Sequence, residues 1–410
     1  MTLTTRIISI LCALTTILSV RAQSGVLPPL TDGADSTAIV SLLTCAPGNN
    51  IYELEGHSAV RMQYDGYDIT ANWGLFDFNS PNFVYRFVAG ETDYCVGACP
   101  TPYFLEQYRR QGRRVTEQVL NLTPSQAARL IALIDRNLLP QNRTYRYNYV
   151  KDNCATRPLE IVEQAIGDTI RFAAPLDELG SAPTFRSVMR HYHANYPWYQ
   201  FGIDLALGEG IDYPIDTRAT AFAPDALQKL VADATISNDG GHAKPLVKTT
   251  NILVPGDAEG IAYGPTPWYA TPITAAMALL LIVCMVTYAD VRRHKTSRWL
   301  DTALYGLYGL MGCVIAFLVF ISVHEATSPN YLLLWLNPLC LIPAITVWIA
   351  RWRRLTYYYF TLNITAIIVY IISWWLGSQW VNAAFIPMIL ADAIRSLNYI
   401  YINSNALKKG

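Results

Sequence analysis

This chain lacks an excess of charge of either sign. Its 410 residues carry 31 Lys and Arg against 31 Asp and Glu, a formal net charge of zero, which argues against a broad nucleic-acid-binding surface. It has no G-x-S-x-G elbow, the strained turn on which serine hydrolases of the α/β type mount their nucleophile. It has no glycine-rich phosphate loop, no internal repeat and no low-complexity tract. Histidine is scarce, with six in all, so candidate general bases can be weighed one at a time.

Apolar residues, by contrast, are abundant at both ends. The N-terminus, MTLTTRIISILCALTTILSVRAQSG, has one basic residue, Arg6, an apolar run and then Val20-Arg21-Ala22. That pattern predicts a secretory signal peptide over residues 1–22, too short to span a bilayer; the alternative is an uncleaved anchor. Leu11 stands before Cys12 where a lipid-attachment cysteine would follow a small residue. From about residue 268 five apolar stretches follow, at about 269–289, 300–323, 331–350, 357–376 and 380–398. Each approaches the ~20 residues that a helix needs to cross the hydrocarbon core.

Basic residues orient these stretches. Arg292, Arg293, Lys295 and Arg298 follow the first, Arg351, Arg353 and Arg354 follow the third, and Lys408 and Lys409 stand in the tail. The loops at 324–330 and 377–382 contain no Lys or Arg. The positive-inside rule puts the C-terminus in the cytoplasm and residues 23–235 outside it. The expected organisation at a bacterial inner membrane is therefore a periplasmic domain (23–235), a linker rich in Gly, Pro and Asp (236–267), five transmembrane helices (268–399) and a cytoplasmic tail (400–410).

Within the exported domain, residues 37–46 form an apolar strand or helix. IYELEGHSAVRMQY and YDITANWGLFDF, joined by Asp65-Gly66, predict a β-hairpin. VYRFVAGETDYCVGA is expected to continue the sheet, and RRVTEQVLNL alternates as a half-buried strand does. Thr123, Pro124 and Gln126 supply an N-cap, a first-turn proline and a capping-box partner for a helix through SQAARLIALIDRNLL. With a mostly helical extension over about 175–235, the domain is α+β.

Chemistry concentrates in YVKDNCATRPLEIVEQAIG. Leu159, Ile161, Val162 and Ile166 make the segment after Cys154 an amphipathic helix, with Thr156 or Asn153 as its N-cap. Cys154 thus stands within a turn of a helix N-terminus, where the dipole lowers a thiol pKa and unpaired N–H groups can hold an oxyanion. His57, between small Gly56 and Ser58 on a predicted strand, is the candidate base, and Asn72 on the next strand is placed to orient its ring. A Cys–His–polar trio of this kind activates a thiol. Against it stand a disulfide between Cys45 and Cys154, a buried inert thiol, and a purely structural His57. Cys95 and Cys99 are spaced to close a small loop.

Other histidines are weaker candidates. His191 and His193 would share a face only if RHYHANYPWY were a strand, and two ligands without a third do not make a metal site; no metal and no cofactor are expected. His242 falls in the linker and His294 on the cytoplasmic side. His324 and Glu325 form a polar pair ending the second membrane stretch. Tyr196, Trp198, Tyr199 and Phe201 are assigned mainly to core, with an acyl groove as the alternative. Asp392 and Arg395 are expected to pair near the interface.

LLTCAPGNNIYELEGHSAVR, NWGLFDFNSPNFVYRFVAGETDY, NRTYRYNYVKDNCATRP and TFRSVMRHYHANYPWYQFGIDLALGEGID together resemble the lipoprotein N-acyltransferases of Bacteroidetes. The resemblance covers nearly all of the mature chain. It implies an exported, circularly permuted papain-like (NlpC/P60-like) thiol domain with a helical extension, followed by the five transmembrane helices. It implies Cys154 as nucleophile and His57 as base, acting on diacylglyceryl lipoproteins and membrane lipids. Asn72 is assigned as orienter from the hairpin. Arg61, Arg157 and Asn153 are the expected substrate-holding residues, and Cys45, in TCAPG, is the second-choice thiol. A permuted papain-like cell-wall peptidase or amidase would use the same trio, and a non-catalytic membrane-anchored binding protein would leave Cys154 disulfide-bonded.

Overall fold

Asp65 and Gly66 both adopt positive φ (49° and 79°), as a two-residue loop between twisted strands requires. They close a hairpin whose register opposes Ala59 to Asn72 and Tyr64 to Tyr67. Around this hairpin the computed structural model, which describes residues 27–28, 38–167, 170–173, 183–237, 243–257, 266–377 and 379–407, builds a seven-stranded antiparallel sheet. The expected signal peptide lies outside the described residues.

The strands in chain order are β1 (Ile39–Cys45), β2 (His57–Tyr64), β3 (Tyr67–Leu75), β4 (Asp93–Pro100), β5 (Val115–Leu120), β6 (Thr144–Arg146), β7 (Ile170–Arg171), β8 (Thr235–Ser237), β9 (Ala243–Pro245) and β10 (Val247–Val254). The large sheet runs β10-β5-β1-β2-β3-β4-β6, and β7-β8-β9 form a small second one. The soluble helices are α1 (Phe83–Ala89), α2 (Thr101–Arg110), α3 (Pro124–Leu138), α4 (Thr156–Ile166), α5 (Phe185–Tyr192), α6 (Pro197–Ala206) and α7 (Pro224–Ala232).

Alternation along β1, β2 and β3 loads both sides of the sheet. One side carries Val40, Leu42, Val60, Met62 and Trp73, which share a core with Leu130, Ile134, Leu159 and Val162 of α3 and α4. The other side, with Leu43, Cys45, Ala59 and Val115, packs on Phe104 and Tyr108 of α2. Burying a side chain of this size contributes about 1.5–3 kcal/mol. The predicted capping box of α3 is present, with Gln126 N donating to Thr123 Oγ1 (3.2 Å) and Thr123 N to Gln126 Oε1 (2.9 Å).

Two expectations for this domain change. The start of VYRFVAGETDYCVGA is helix α1 and only its end is strand. Asn82 at φ 55° and Gly90 at φ 77° break the extended chain on either side of α1. The segment expected as linker supplies β9 and β10, and β10 pairs with β5 as an edge of the large sheet. Mostly exposed, β10 has little of the apolar alternation that marks a strand in sequence.

Among the described residues, four helices are long and apolar enough to cross a membrane: α8 (Pro272–Arg293), α9 (Arg298–Phe320), α11 (Arg353–Trp375) and α12 (Phe385–Leu407). The third apolar stretch is instead two 3₁₀ turns, Tyr331–Leu334 and Pro338–Cys340, and the short α10 (Leu341–Thr346). Pro338 and Pro343 remove backbone donors that a continuous helix needs. Asn330 and Asn337 cap the two turns, their side chains accepting from Leu332 N and Leu339 N (3.1 and 3.0 Å). Asp392 and Arg395 are fully buried rather than interfacial, and each has other partners. Arg395 meets Asp290 (2.8 Å) and Asp301 (2.7 Å), while Asp392 accepts from Tyr305 and Asn363, both at 2.7 Å.

The soluble domain sits on one end of this bundle. Val323 N donates to Ala89 O (2.9 Å), Gly208 N to Ala326 O (2.8 Å) and Glu209 N to Pro329 O (2.8 Å). Lys151 pairs with Glu325, and Asn382 Nδ2 donates to Asp204 (2.8 Å).

Candidate active site

The turn before α4 owes its shape to Asn153. Its Oδ1 accepts from Ala155 N (2.7 Å) and Thr156 N (3.0 Å), and Thr156 Oγ1 accepts from Asn153 N (2.8 Å). Its Nδ2 donates to Tyr149 O (2.7 Å) and Phe222 O (2.9 Å). Asn153 therefore holds the turn that leads into α4, with its hydrogen-bonding capacity taken up, and is not a free substrate ligand. It presents Cys154 to the ends of β2 and β3.

Close backbone approach makes that presentation possible. Ser58 Oγ donates to Cys154 O (2.9 Å). Gly74, at φ +85°, lies where the pairing of β3 with β4 is irregular, and a Cβ there would stand 3.4 Å from that of Cys154. Gly56, at φ +83°, precedes His57 where a Cβ would stand 2.5 Å from Cys45 O. Both positions demand glycine for conformation, and the second for space as well.

His57 opens β2, and Asn72 is the partner of Ala59 on β3. This diagonal across the hairpin lies within side-chain reach. His57 Nε2 lies 2.5 Å from Asn72 Oδ1. That oxygen can only accept, so Nε2 carries the proton and Nδ1 keeps the free lone pair. His57, Asn72 and Cys154 line one cavity of about 270 Å³, together with Tyr52, Phe76, Tyr94, Tyr108, Tyr147 and Arg113.

Electrostatics here differ from the helix-dipole expectation. Burial pushes the Cys154 thiol up to about 12, and a hydrogen bond from the Ser58 backbone offsets it only in part. Burial also holds His57 down at about 4, opposed by its Asn72 hydrogen bond and reinforced by Arg113. Desolvation outweighs the helix terminus, so the resting pair is thiol and neutral imidazole. This pair suits an imidazole that takes the thiol proton as the sulfur attacks.

The remaining expected residues lie elsewhere. Arg61 binds Asp68 (2.6 Å) and Glu117 (2.8 Å) along the sheet. Arg157 pairs with Asp152 and stacks 3.6 Å from the Tyr145 ring centroid. Neither lines the Cys154 cavity, and both are held by acidic partners. Cys45 is opposite His57 in the β1–β2 register but is fully buried, its thiol pushed up to about 12 by burial beside the Tyr108 hydroxyl. Among the described residues Cys45, Cys95, Cys99 and Cys154 are all free. Cys95 and Cys99 share a strand, where four residues span ~13 Å, beyond the reach of a disulfide.

His191 and His193 do not converge, since α5 ends at Tyr192. His193 Nδ1 meets Gln200 Oε1 (2.9 Å), and His191 lines a separate cavity. His324 meets Phe87 O (2.9 Å) and Glu325 pairs with Lys151, and neither lines the Cys154 cavity. Trp198 and Phe201 turn away, to Ala270 and Phe385.

Sequence reasoning missed Arg113 and the aromatic walls. Arg113 is buried, donating to Ala46 O (2.8 Å) and Glu53 (2.9 Å) and lying 4.8 Å from the Tyr108 ring centroid. An arginine in QGRRV carries no local mark of burial; only the close of the sheet over α2 gives it one.

Residues 28–190 match the family model of the Lnb N-terminal periplasmic domain, and residues 265–406 match that of the Lnb transmembrane domain. No curated protein and no solved structure matches the chain.

Proposed function

Because the chain belongs to the Lnb family and carries both of its domains, we propose that it is a lipoprotein N-acyltransferase with Cys154 as nucleophile. The observation that carries this reading is the shared cavity, which Cys154 lines together with a histidine hydrogen-bonded to Asn72. Cys154 Sγ attacks the carbonyl carbon of a fatty acyl ester while its proton passes to His57 Nδ1. The imidazolium returns that proton to the leaving alkoxide, giving a thioester and a free hydroxyl. The α-amino group of a lipoprotein's N-terminal diacylglyceryl-cysteine then attacks the thioester. His57 takes the amine proton as the C–N bond forms and passes it to the sulfur as the C–S bond breaks, leaving an amide, the thiol and a neutral imidazole.

The fold that goes with this reading is a permuted papain-like domain, its histidine strand preceding the cysteine helix. The domain faces the periplasm on the inner membrane, exported by the N-terminal segment. The broken third segment supports a fifth crossing: Tyr331 N donates to Gln379 Oε1 near the soluble domain, whereas Ala344 O and Trp348 Nε1 meet Thr302 at the opposite end of α9. With five crossings the C-terminus is cytoplasmic. Both substrates hold their acyl chains in the bilayer, which gives a thiol domain a reason to sit on membrane helices. A cell-wall peptidase would gain nothing from that placement.

The test is the state of lipoprotein N-termini in cells carrying wild type or Cys154→Ser, with membrane insertion checked by immunoblot. Accumulation of free α-amines in the variant supports the transferase. Unchanged acylation removes Cys154 from the reaction.

A further inference from the structure

A continuous line of aromatic rings leaves the Cys154 cavity and runs to the end of membrane helix α9. Phe76, in the cavity wall, lies 5.6 Å from Phe83 between ring centroids, and Phe83 lies 6.1 Å from Phe87. Phe87 lies 6.5 Å from the His324 ring, and Tyr85, on the same helix α1, lies 5.9 Å from Phe317 of α9. Phe78 packs on both Phe76 (4.6 Å) and Phe83 (5.1 Å).

Much of this line is not covered by protein. Phe78 is 58% exposed, Val84 73% and Phe87 47%. A run of exposed apolar side chains of this kind marks a binding surface. What covers it is indicated by where it ends: Phe320 (78%), Ile321 (57%) and Val323 (62%) stand exposed at the end of the bundle. Val323 N is bonded to Ala89 O at the end of α1, and Gly90 leaves only 2.9 Å between a would-be Cβ and Val323 Cγ2. Helix α1 is thus fastened to the outer edge of the membrane-spanning region, and its exposed face continues the lipid-facing surface up to the thiol.

We infer that this strip, Phe76–Phe78–Phe83–Phe87 with Val84, is the track along which the fatty acyl chain of a membrane lipid reaches Cys154. The inference rests on the transferase reading for its chemistry. The members of the strip are rings and one aliphatic side chain, which suit a hydrocarbon chain. The charged neighbours Asp77 and Arg86 are engaged locally, with Asn79 N (2.8 Å) and Glu91 O (3.0 Å). The strip discriminates chains by length through the area they cover, ~25 cal/mol per Å². A peptide partner would call for polar groups along the strip to satisfy its backbone.

The experiment uses the full-length Cys154→Ser protein in vesicles of phosphatidylethanolamine bearing an alkyne-tagged acyl chain. The photo-crosslinker p-benzoylphenylalanine replaces Phe78, Val84 or Phe87 in turn, and Ile252, 62% exposed on edge strand β10, serves as reference. Illumination is expected to label the three strip positions at least about fivefold above position 252, on the order of the enrichment that apolar burial gives one methylene or two. Equal labelling overturns the inference whether or not the protein proves to be a transferase. In the active protein, Phe78→Asp with Val84→Asp is expected to lower the ratio of long-chain to short-chain donor kcat/KM by about tenfold. An unchanged ratio also overturns it. Intact lipoprotein acylation in Cys154→Ser cells would instead sink the transferase reading and leave the labelling result standing.

Discussion

At the scale of single residues, the informative contact is the 2.5 Å approach of His57 Nε2 to Asn72 Oδ1. Since it fixes which ring nitrogen is free, Asn72→Ala is expected to lower acyl transfer by about 10²-fold, a typical general-base contribution, with the domain still folded by circular dichroism. Asn72→Asp, which keeps an acceptor, should recover part of the loss. Retention of full activity by Asn72→Ala would remove the residue from the site. The pH dependence follows from His57 being held down at about 4. An imidazole is a base only when neutral, so kcat/KM should stay level as pH falls through 6.5 and decline only as it approaches 4. A midpoint near 6.5 would mean that the free protein keeps this ring in water. Cys154, pushed up to about 12, should likewise be alkylated slowly by iodoacetamide at neutral pH, its rate rising steadily towards alkaline pH. A fast, pH-independent plateau would reveal a thiolate–imidazolium pair instead.

At the scale of elements, Gly56, Gly74 and the turn-forming Asn153 bring His57, Asn72 and Cys154 to one cavity. Asn153→Ala removes acceptors from Ala155 N and Thr156 N and leaves Tyr149 O and Phe222 O without their donor. Buried groups left without partners cost about 1–3 kcal/mol each, so a clear fall in the thermal unfolding midpoint is expected, and an unchanged midpoint would show that Asn153 does not hold the turn. The hairpin, α3 and α4 were legible in sequence because turn residues, capping box and apolar spacing agreed with one another. That His57, Cys154 and Asn72 come to one cavity was legible for a related reason: each sits on or beside an element with a strong local signal. The partners of Arg61, Arg157 and Asn153 were not, because a basic or polar side chain near a site looks the same in sequence whether it meets a substrate, a carboxylate or the backbone. Strand β10 escaped because an edge strand exposes most of its side chains, and α1 because its exposed aromatics mimic a strand pattern. The broken third membrane segment escaped because hydropathy counts apolar residues and takes no account of where Pro338 and Pro343 interrupt the hydrogen-bond ladder.

At the scale of the whole molecule, the proposed transferase would reach membrane substrates only with its cavity held at a fixed height over the bilayer. The joint is built from backbone against backbone: Gly208 N donates to Ala326 O, and Glu209 N to Pro329 O. Arg186 braces the loop from within, donating to Gly208 O (2.8 Å) and pairing with Asp204 (2.9 Å) and Asp212 (2.7 Å). A Cβ at Gly208 would lie 2.0 Å from Pro329 O, and one at Gly210 2.5 Å from Glu325 O, so neither position accepts a side chain while the joint is closed. Gly208→Val must therefore part the domain from the loop at 325–330, none of whose residues lines the Cys154 cavity. Its expected result is a loss of transfer from long-chain membrane lipids of at least about tenfold, since proximity alone supplies effects larger than this. Hydrolysis of a water-soluble short-chain thioester by the same protein should be retained, because Cys154, His57 and Asn72 do not touch the joint. If both activities fall together, the joint shapes the cavity itself. If neither falls, the height of the domain over the membrane does not limit the reaction, and the acyl chain reaches the thiol without a fixed path.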